Sequence, residues 1–592
     1  MKEQDRASLR MQWPLFTKNK KGKDTSMVPK PFKAAVGALA AVATLAMGFA
    51  GTAMAADTRI DAAKLAVAQP ITVTSNMDIS GKNLVAVQLA KYSYAQTDGT
   101  NITGFDLVDS GKKTAVANAL KNAGINTSTT KSGAYAYNAN NPMIWVVQNL
   151  LDSTNSPWTG QLRNFLNKLN HESTITGDAG VKLAKGANAN TMTANVTPGV
   201  YAIIDRTTTG QASIVMFNGT GIDGKTTLKN GNTNYTLGTV SYKTHGTTVS
   251  KKITATSRGT IEGNGATAET SIGKTVSFEL TSQVPNWTGF DKYYYALNDT
   301  YSAGLTFDPS TVKVNVNGKD LVNDSTHTYW KVTTESGKFH VIFAPTADAN
   351  AAGTTSDIVA MAASYPIQTA VKVTYTMTVN KNAVPQTADT NTVNVEYSRN
   401  PNTVTDHTTT PGNTVKVWVG KLQLVKKDTN NQPLAGATFQ IFENGSTAAV
   451  KFVKSSDGYT YRKADLTETT GTTDTITSVS GNNGVVNITG LDGAYTMKET
   501  KSPYTGITIL PNFSYTLKVN QSNGVTTFNP FTQDSNKLAS NTTPTGSNAQ
   551  TTVINARSIL DMPKTGSVWM TIFAAMTVLF VAAGTIILRK RA

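Results

Sequence analysis

The chain has 592 residues, no cysteine, and 54 Lys/Arg against 38 Asp/Glu, a formal net charge of +16. Disulfides and thiolate metal sites are therefore excluded as sources of cross-linking. The first 55 residues hold nine Lys/Arg and three Asp/Glu, and the residues after Thr565 hold three more cations. That leaves 42 basic against 35 acidic side chains between them, a net +7. This modest balance, with no basic run interleaved by aromatics, excludes a nucleic-acid platform, and no nucleic-acid partner is expected.

At the N-terminus, Lys30 and Lys33 precede an uncharged run from Ala34 to Ala50, and Ala53-Met54-Ala55 has the small-x-small form that signal peptidase cuts. Residues 1–55 read as a signal peptide cleaved between Ala55 and Ala56, with Met27 as an alternative start. Residues 56–244 mix strands with helices. Asn141-Pro142 opens an apolar helix through Trp145, Val146 and Leu150. Ser156-Pro157 offers an N-cap and a proline at N1, after which Leu162, Phe165, Leu166 and Leu169 share one helical face. Beyond Val240, short Thr-, Val- and Asn-rich strands alternate with Gly/Asn/Asp turns, the pattern of immunoglobulin-like β-sandwiches. One sandwich is expected over 245–401 and a second over 416–558. The polar stretch 402–415 reads as a linker, and Leu538–Thr551 as a long loop. The chain closes on Met562-Pro563-Lys564-Thr565-Gly566, an uncharged run from Ser567 to Leu588, and Arg589-Lys590-Arg591. About 22 apolar residues span a bilayer as a helix, and the cations behind them favour the cytoplasmic side. In this order, residues 559–592 resemble the cell-wall sorting signal that sortases cut on Gram-positive surfaces, with Met562 in place of the usual leucine.

Strand parity places charge inside the sandwiches. Val249, Lys251 and Ile253 share one face of the strand 248–254; Leu422, Leu424 and Lys426 share another; and Tyr495, Met497 and Glu499 share a third. A charged group turned inward needs a partner or must become neutral.

The run Thr275-Val-Ser-Phe-Glu-Leu, then Ala296-Leu-Asn-Asp-Thr-Tyr-Ser-Ala-Gly-Leu-Thr-Phe307, then Asn391-Thr-Val-Asn-Val-Glu-Tyr-Ser398 resembles the CnaA-type domain of fimbrial backbone proteins. Leu424-Val-Lys-Lys-Asp428, Pro433-Leu-Ala-Gly-Ala-Thr-Phe439, Gly493-Ala-Tyr-Thr-Met-Lys-Glu-Thr500 and Val553-Ile-Asn555 resemble a CnaB-type domain. More loosely, Ile71-Thr-Val-Thr and Pro198-Gly-Val-Tyr-Ala-Ile-Ile-Asp205 resemble the pilin N-terminal domain. The whole is similar to the major backbone subunits of sortase-assembled Gram-positive pili. The fold this implies is mainly β: tandem immunoglobulin-like (Cna-type) sandwiches behind an α+β N-terminal domain, plus a transmembrane helix in the precursor.

The resemblance implies an intramolecular isopeptide bond in each sandwich. Lys251 would join Asn391 with Asp299 as the assisting acid, and Lys426 would join Asn555 with Glu499. Lys252 and Glu279, on other faces, are weaker choices. It also implies that a pilus sortase of class C cuts between Thr565 and Gly566 and passes the Thr565 carbonyl to an exposed lysine of the next subunit. The family's Tyr-Pro-Lys motif corresponds to Val240-Ser-Tyr-Lys-Thr244, which designates Lys243 although the proline is absent; Lys225 and Lys229 are rivals. A housekeeping sortase, peptidoglycan, other copies of the chain, minor pilins and a host receptor are the further partners implied. The location implied is the Gram-positive surface, secreted and wall-anchored.

No enzyme is expected, and no cofactor or metal. His171, His245, His327, His340 and His407 lack metal-ligand spacing, and there is no nucleophile elbow or phosphate loop. The alternative reading is a monomeric wall-anchored adhesin that binds host matrix or glycan. A surface hydrolase and a tip pilin are less favoured.

Overall fold

The computed structural model describes residues 57–556, apart from 132–133, 151–157, 211, 231–232, 245, 347–355, 402, 506–508 and 535. The expected signal peptide with its Ala55–Ala56 junction, Ser156-Pro157, His245, and the expected sorting signal with its apolar run lie outside the described residues. Among those described, no helix is long and apolar enough to cross a membrane.

The N-terminal region is built on a strand, Leu84–Thr97, whose opening residues have no polar alternation because both its faces are covered. Val85, Val87 and Leu89 join a core under three helices, while Leu84 and Ala86 face a second, smaller sheet containing Gln69–Thr74 and Thr191–Val196. The neighbouring strand Gly199–Asp205 divides in the same way, Val200, Ala202 and Ile204 to one side and Tyr201 and Ile203 to the other. The helices α1 (Lys113–Asn122), α2 (Pro142–Asn149) and α3 (Gln161–Leu169) close the larger core. Pro142 occupies the first turn of α2, where its missing N–H costs nothing. In α3 the expected stripe of Leu162, Phe165, Leu166 and Leu169 is buried. The helix begins later than the sequence suggested, with Gly160 at the N-cap (φ 106°) and Gln161 as its first residue.

Two β-sandwiches follow. In the first, a sheet of Val249–Thr256, Thr275–Gln283, Ala370–Val379, Leu305–Val316 and Lys319–Leu321 packs against one that contains Tyr295–Tyr301 and Asp389–Asn400. In the second, the sheet through Thr438–Glu443, Gly493–Lys501 and Asn512–Val519 packs against one containing Val485–Leu491 and Gln550–Asn555.

The expected linker at 402–415 is instead strand. Thr403–Asp428 runs unbroken for 26 residues: its first half pairs with Asp389–Asn400, and its second with Val485–Leu491 and Gln550–Asn555. The Thr-rich composition that looked like low complexity is a half-exposed strand, with Thr410 and Thr414 opposite Val395 and Thr392 and Val415 and Val417 turned into the core. Gly412 permits this course, since a Cβ there would meet Val393 and the Val249 carbonyl at 2.7 and 2.8 Å. The boundary between the sandwiches falls inside one strand, so the 13-stranded sheet is shared by both. The segment 538–551 is likewise not all loop: Ala539–Asn541 pairs antiparallel with Gln550–Asn555.

The junction between the sandwiches is polar and densely bonded. The Arg258 guanidinium donates to the carbonyls of Asp492 and Ala494 and lies 4.4 Å from the Tyr495 ring centroid. Glu443 meets Lys274 at 2.9 Å, Lys463 at 3.0 Å and Arg258 at 3.4 Å.

Candidate cross-linking sites

In the first sandwich, alternation along Val249–Thr256 turns Lys251 inward between Val249 and Ile253, and its side chain is fully buried. Its backbone is fixed from outside: the Lys251 N–H donates to Asn413 Oδ1 (2.7 Å), and Asn413 Nδ2 donates back to the Lys251 carbonyl (2.8 Å). Asp299 and Asn391 come from two adjacent strands of the opposite sheet, where Asp299 pairs with Val393 and Tyr301 with Asn391. Lys251 Nζ lies 2.6 Å from Asp299 Oδ2 and also donates to Asn391 Oδ1. Tyr375 OH donates to the same Asp299 Oδ2 (2.7 Å), and Asn391 Nδ2 donates to Tyr375 OH (2.9 Å) and to Met377 Sδ (3.6 Å). Lys252, on the opposite face, pairs with Glu279 at 2.8 Å near the surface.

Burial decides the electrostatics here. It lowers the Lys251 ammonium to about 8, although Asp299 opposes the shift, and it raises the Asp299 carboxyl against the pull of Lys251 and Tyr375. Both groups move toward their neutral forms. An uncharged amine is a nucleophile, and a carboxamide held against it is an electrophile already in place.

The second sandwich repeats the arrangement with different strands. Parallel pairing puts Lys426 opposite Val553, so Asn555 lies two residues further along on the same face. Glu499 reaches across from the other sheet, on the buried face with Tyr495 and Met497. The side chains of Lys426 and Glu499 are fully buried. Lys426 Nζ donates to the Val553 carbonyl (3.2 Å) and stands 4.0 Å from Glu499 Oε2, to which Asn555 Nδ2 donates at 3.3 Å. Among the described residues, Asn555 Oδ1 and Glu499 Oε1 are buried without a hydrogen-bond partner. Burial lowers Lys426 to about 8, opposed by Glu499 and Asp428, and raises Glu499 to about 7, opposed by Lys426 and the Asn555 amide.

Lys243 departs from the exposed amine that was expected. It is half-buried, in a cleft lined by Arg163, Leu166, Met216, Phe217 and Asn218. Its backbone, just past the strand Thr239–Ser241, is held by hydrogen bonds from the Lys243 N–H to Ser213 Oγ (3.1 Å) and from the Ile214 N–H to the Lys243 carbonyl (3.1 Å). Burial, and then the Arg163 guanidinium, lower its amine to about 8. Among the described residues no carboxylate pairs with it, whereas Lys225 lies 3.6 Å from Asp223 and Lys229 3.8 Å from Asp98. The reason for its burial is the packing of α3, which brings Arg163 and Leu166 over the strand end.

Tyr375 and Met377 were missed by sequence reasoning. Both belong to the inward set Val371, Val373, Tyr375, Met377 and Val379, where a tyrosine reads as core. The available signal was the hydroxyl itself, which needs a partner once buried.

A family model described as SpaA, a prealbumin-like fold domain, matches residues 420–532. Solved structures with a similar arrangement include the T6 backbone pilin of serotype M6 Streptococcus pyogenes, at 16% identity over 83% of this chain and 93% of that one, with a TM-score of 0.46. The major pilin subunit BcpA of Bacillus cereus is 15% identical over 64% and 93%, TM-score 0.36, and the major pilin SpaD of Corynebacterium diphtheriae is 16% identical over 69% and 89%, TM-score 0.35. No curated protein sequence matches the chain. Over residues 420–532, the sandwich that buries Lys426 and Glu499 is thus similar to the SpaA domain of prealbumin-like fold.

Proposed function

We propose that this chain is the structural backbone subunit of a covalently polymerised, wall-anchored pilus that serves adhesion, and that each sandwich is closed by a lysine–asparagine isopeptide bond. One observation carries the reading: two separate sandwiches each bury a lysine, a carboxylic acid and an asparagine together, with the lysine on an early strand and the asparagine on a late one. A buried ion pair is a poor stabilising device, and its recurrence with a buried asparagine in both sandwiches is better accounted for by chemistry than by packing.

In this reading the neutral Lys251 amine attacks the Asn391 carboxamide and ammonia leaves, with Asp299 moving the proton. Lys426, Asn555 and Glu499 do the same in the second sandwich. The bonds are single self-catalysed events, so the protein is a substrate and not an enzyme. Between subunits, a class C sortase cuts Thr565–Gly566 within Met562-Pro563-Lys564-Thr565-Gly566 and holds the Thr565 carbonyl as a thioester. Lys243 of another copy resolves that thioester, its lowered amine supplying a neutral nucleophile near pH 8. A housekeeping sortase then transfers the finished fibre to peptidoglycan.

Immunoblots of wall extracts boiled in detergent test this function. A ladder of multimers that collapses to one band in Lys243→Arg supports polymerisation through Lys243. A single band from the unaltered protein refutes it and leaves the monomeric adhesin, which the half-buried setting of Lys243 would suit.

A further inference from the structure

The two clusters differ in one respect that bears on how each bond is made. In the second sandwich the acid contacts the amide directly, Asn555 Nδ2 donating to Glu499 Oε2. In the first, Tyr375 stands between them, its hydroxyl bonded to Asp299 Oδ2 on one side and to Asn391 Nδ2 on the other. We propose that Tyr375 is a catalytic residue of the first sandwich, passing a proton from Asp299 to the departing nitrogen of Asn391 as the Lys251–Asn391 bond forms. The inference rests on the bond-forming reading given above and adds a residue and a route to it.

The nitrogen that must leave is the one that Tyr375 touches, and the oxygen that remains faces Lys251. Lys251 attacks the Asn391 carbonyl carbon and a C–N bond forms; as the Asp299 carboxyl passes its own proton to Tyr375, it takes up the proton that Nζ sheds. The tetrahedral nitrogen Nδ2 then has a lone pair. The Tyr375 hydroxyl turns to give it a proton and regains one from Asp299. The old C–Nδ2 bond breaks and one ammonia is released, so that amine plus primary amide become secondary amide plus ammonia with no other reactant. Burial, with Asp299 beside it, holds the Tyr375 phenol well above its ordinary value, so the hydroxyl keeps a proton to pass on.

The ring is built to stay in place. It stacks on Phe278 (5.3 Å between centroids, 14° between planes) and meets Phe307 and Phe339 edge-on at 5.7 and 4.9 Å. Tyr375→Phe therefore removes the hydroxyl and leaves the packing. The strand neighbour Met377 supplies a second acceptor for Nδ2 at 3.6 Å, on the same side as Tyr375.

The test uses the full chain made by cell-free synthesis, sampled over time and across pH, with peptide mapping of the Lys251–Asn391 and Lys426–Asn555 linkages. The second linkage is an internal control in the same molecule. Tyr375→Phe is expected to slow the first linkage on the order of a hundredfold, the usual weight of a general acid, and to leave the second unchanged. A first linkage formed at the unaltered rate and with the same pH profile in Tyr375→Phe overturns the relay alone. A wild-type chain that never joins Lys251 to Asn391 overturns the bond itself and the relay with it. If Tyr375→Phe fails to fold, seen as loss of both linkages, fluorotyrosine at position 375 replaces it. That analogue acidifies the phenol at nearly constant volume and must shift the pH–rate profile of the first linkage only; an unshifted profile overturns the proposal.

Discussion

Replacing Asn391 by alanine removes the acceptor of the first internal bond and leaves Lys251 facing Asp299. Two magnitudes compete. If the cluster is only hydrogen-bonded, the loss is that of a few buried polar contacts, about 1–3 kcal/mol. If Lys251 and Asn391, 140 residues apart, are covalently joined, the substitution also releases the unfolded chain from a closed loop, which by the disulfide relation amounts to about 5 kcal/mol. For a domain of this size the larger figure corresponds to a fall in Tm of about 10–20 °C. Asn413→Ala supplies the comparison. It cuts two hydrogen bonds to the Lys251 backbone without touching the reacting atoms and should cost about 1–3 kcal/mol. Calorimetry of the three proteins decides the matter. Equal losses for Asn391→Ala and Asn413→Ala refute the covalent account of the first sandwich, since a cross-link would then have no thermodynamic trace.

The second sandwich gives a chemical counterpart: Glu499→Ala should restore about 17 Da, one ammonia, to the intact mass and leave the first linkage in place. Transfer of the sortase-held acyl group to Lys243 should rise with pH and level off above about 8, and Arg163→Gln should move that midpoint upward, because the guanidinium is one cause of the lowered amine. An unmoved midpoint would separate Arg163 from the reaction. At the junction of the sandwiches, burial and the neighbouring Glu269 raise Asp492 to about 8, with Arg258 opposing. A carboxyl raised in the fold stabilises below its unfolded value and loses that contribution as pH climbs through the folded one. Tm should therefore decline between about pH 4 and 8 on this account, and Asp492→Asn, which removes the titrating group, should flatten the decline; an unchanged slope contradicts the raised carboxyl. Finally, Arg258→Ala should uncouple the sandwiches, splitting one calorimetric transition into two, because it removes the bonds to Asp492 and Ala494 and the contact with Tyr495.

The inward lysines were legible because a period of two is rigid: once Val249 and Ile253 are core, Lys251 has nowhere else to point. Their partners were not legible from pattern alone. Asp299, Asn391 and Tyr375 converge only after two sheets have packed, and it was the family resemblance that named the first two. Tyr375 was hidden by its own suitability as core, with a ring that belongs among Phe278, Phe307 and Phe339. Composition misled at 402–415, where threonines on the exposed face of a paired strand have the same profile as a solvated linker. The setting of Lys243 depends on α3 lying over the end of a strand distant in sequence, which no local window contains. In the N-terminal region helices and strands were visible, but the three-layer order was not, because a strand buried on both faces has no alternation to read.

The central claim is that two buried amines are consumed in amide bonds within each chain, and intact mass reports it without assumptions about assembly. The protein should weigh about 34 Da less than its sequence requires, with Lys251–Asn391 and Lys426–Asn555 peptides recovered after digestion. A mass equal to that of the sequence would contradict the account.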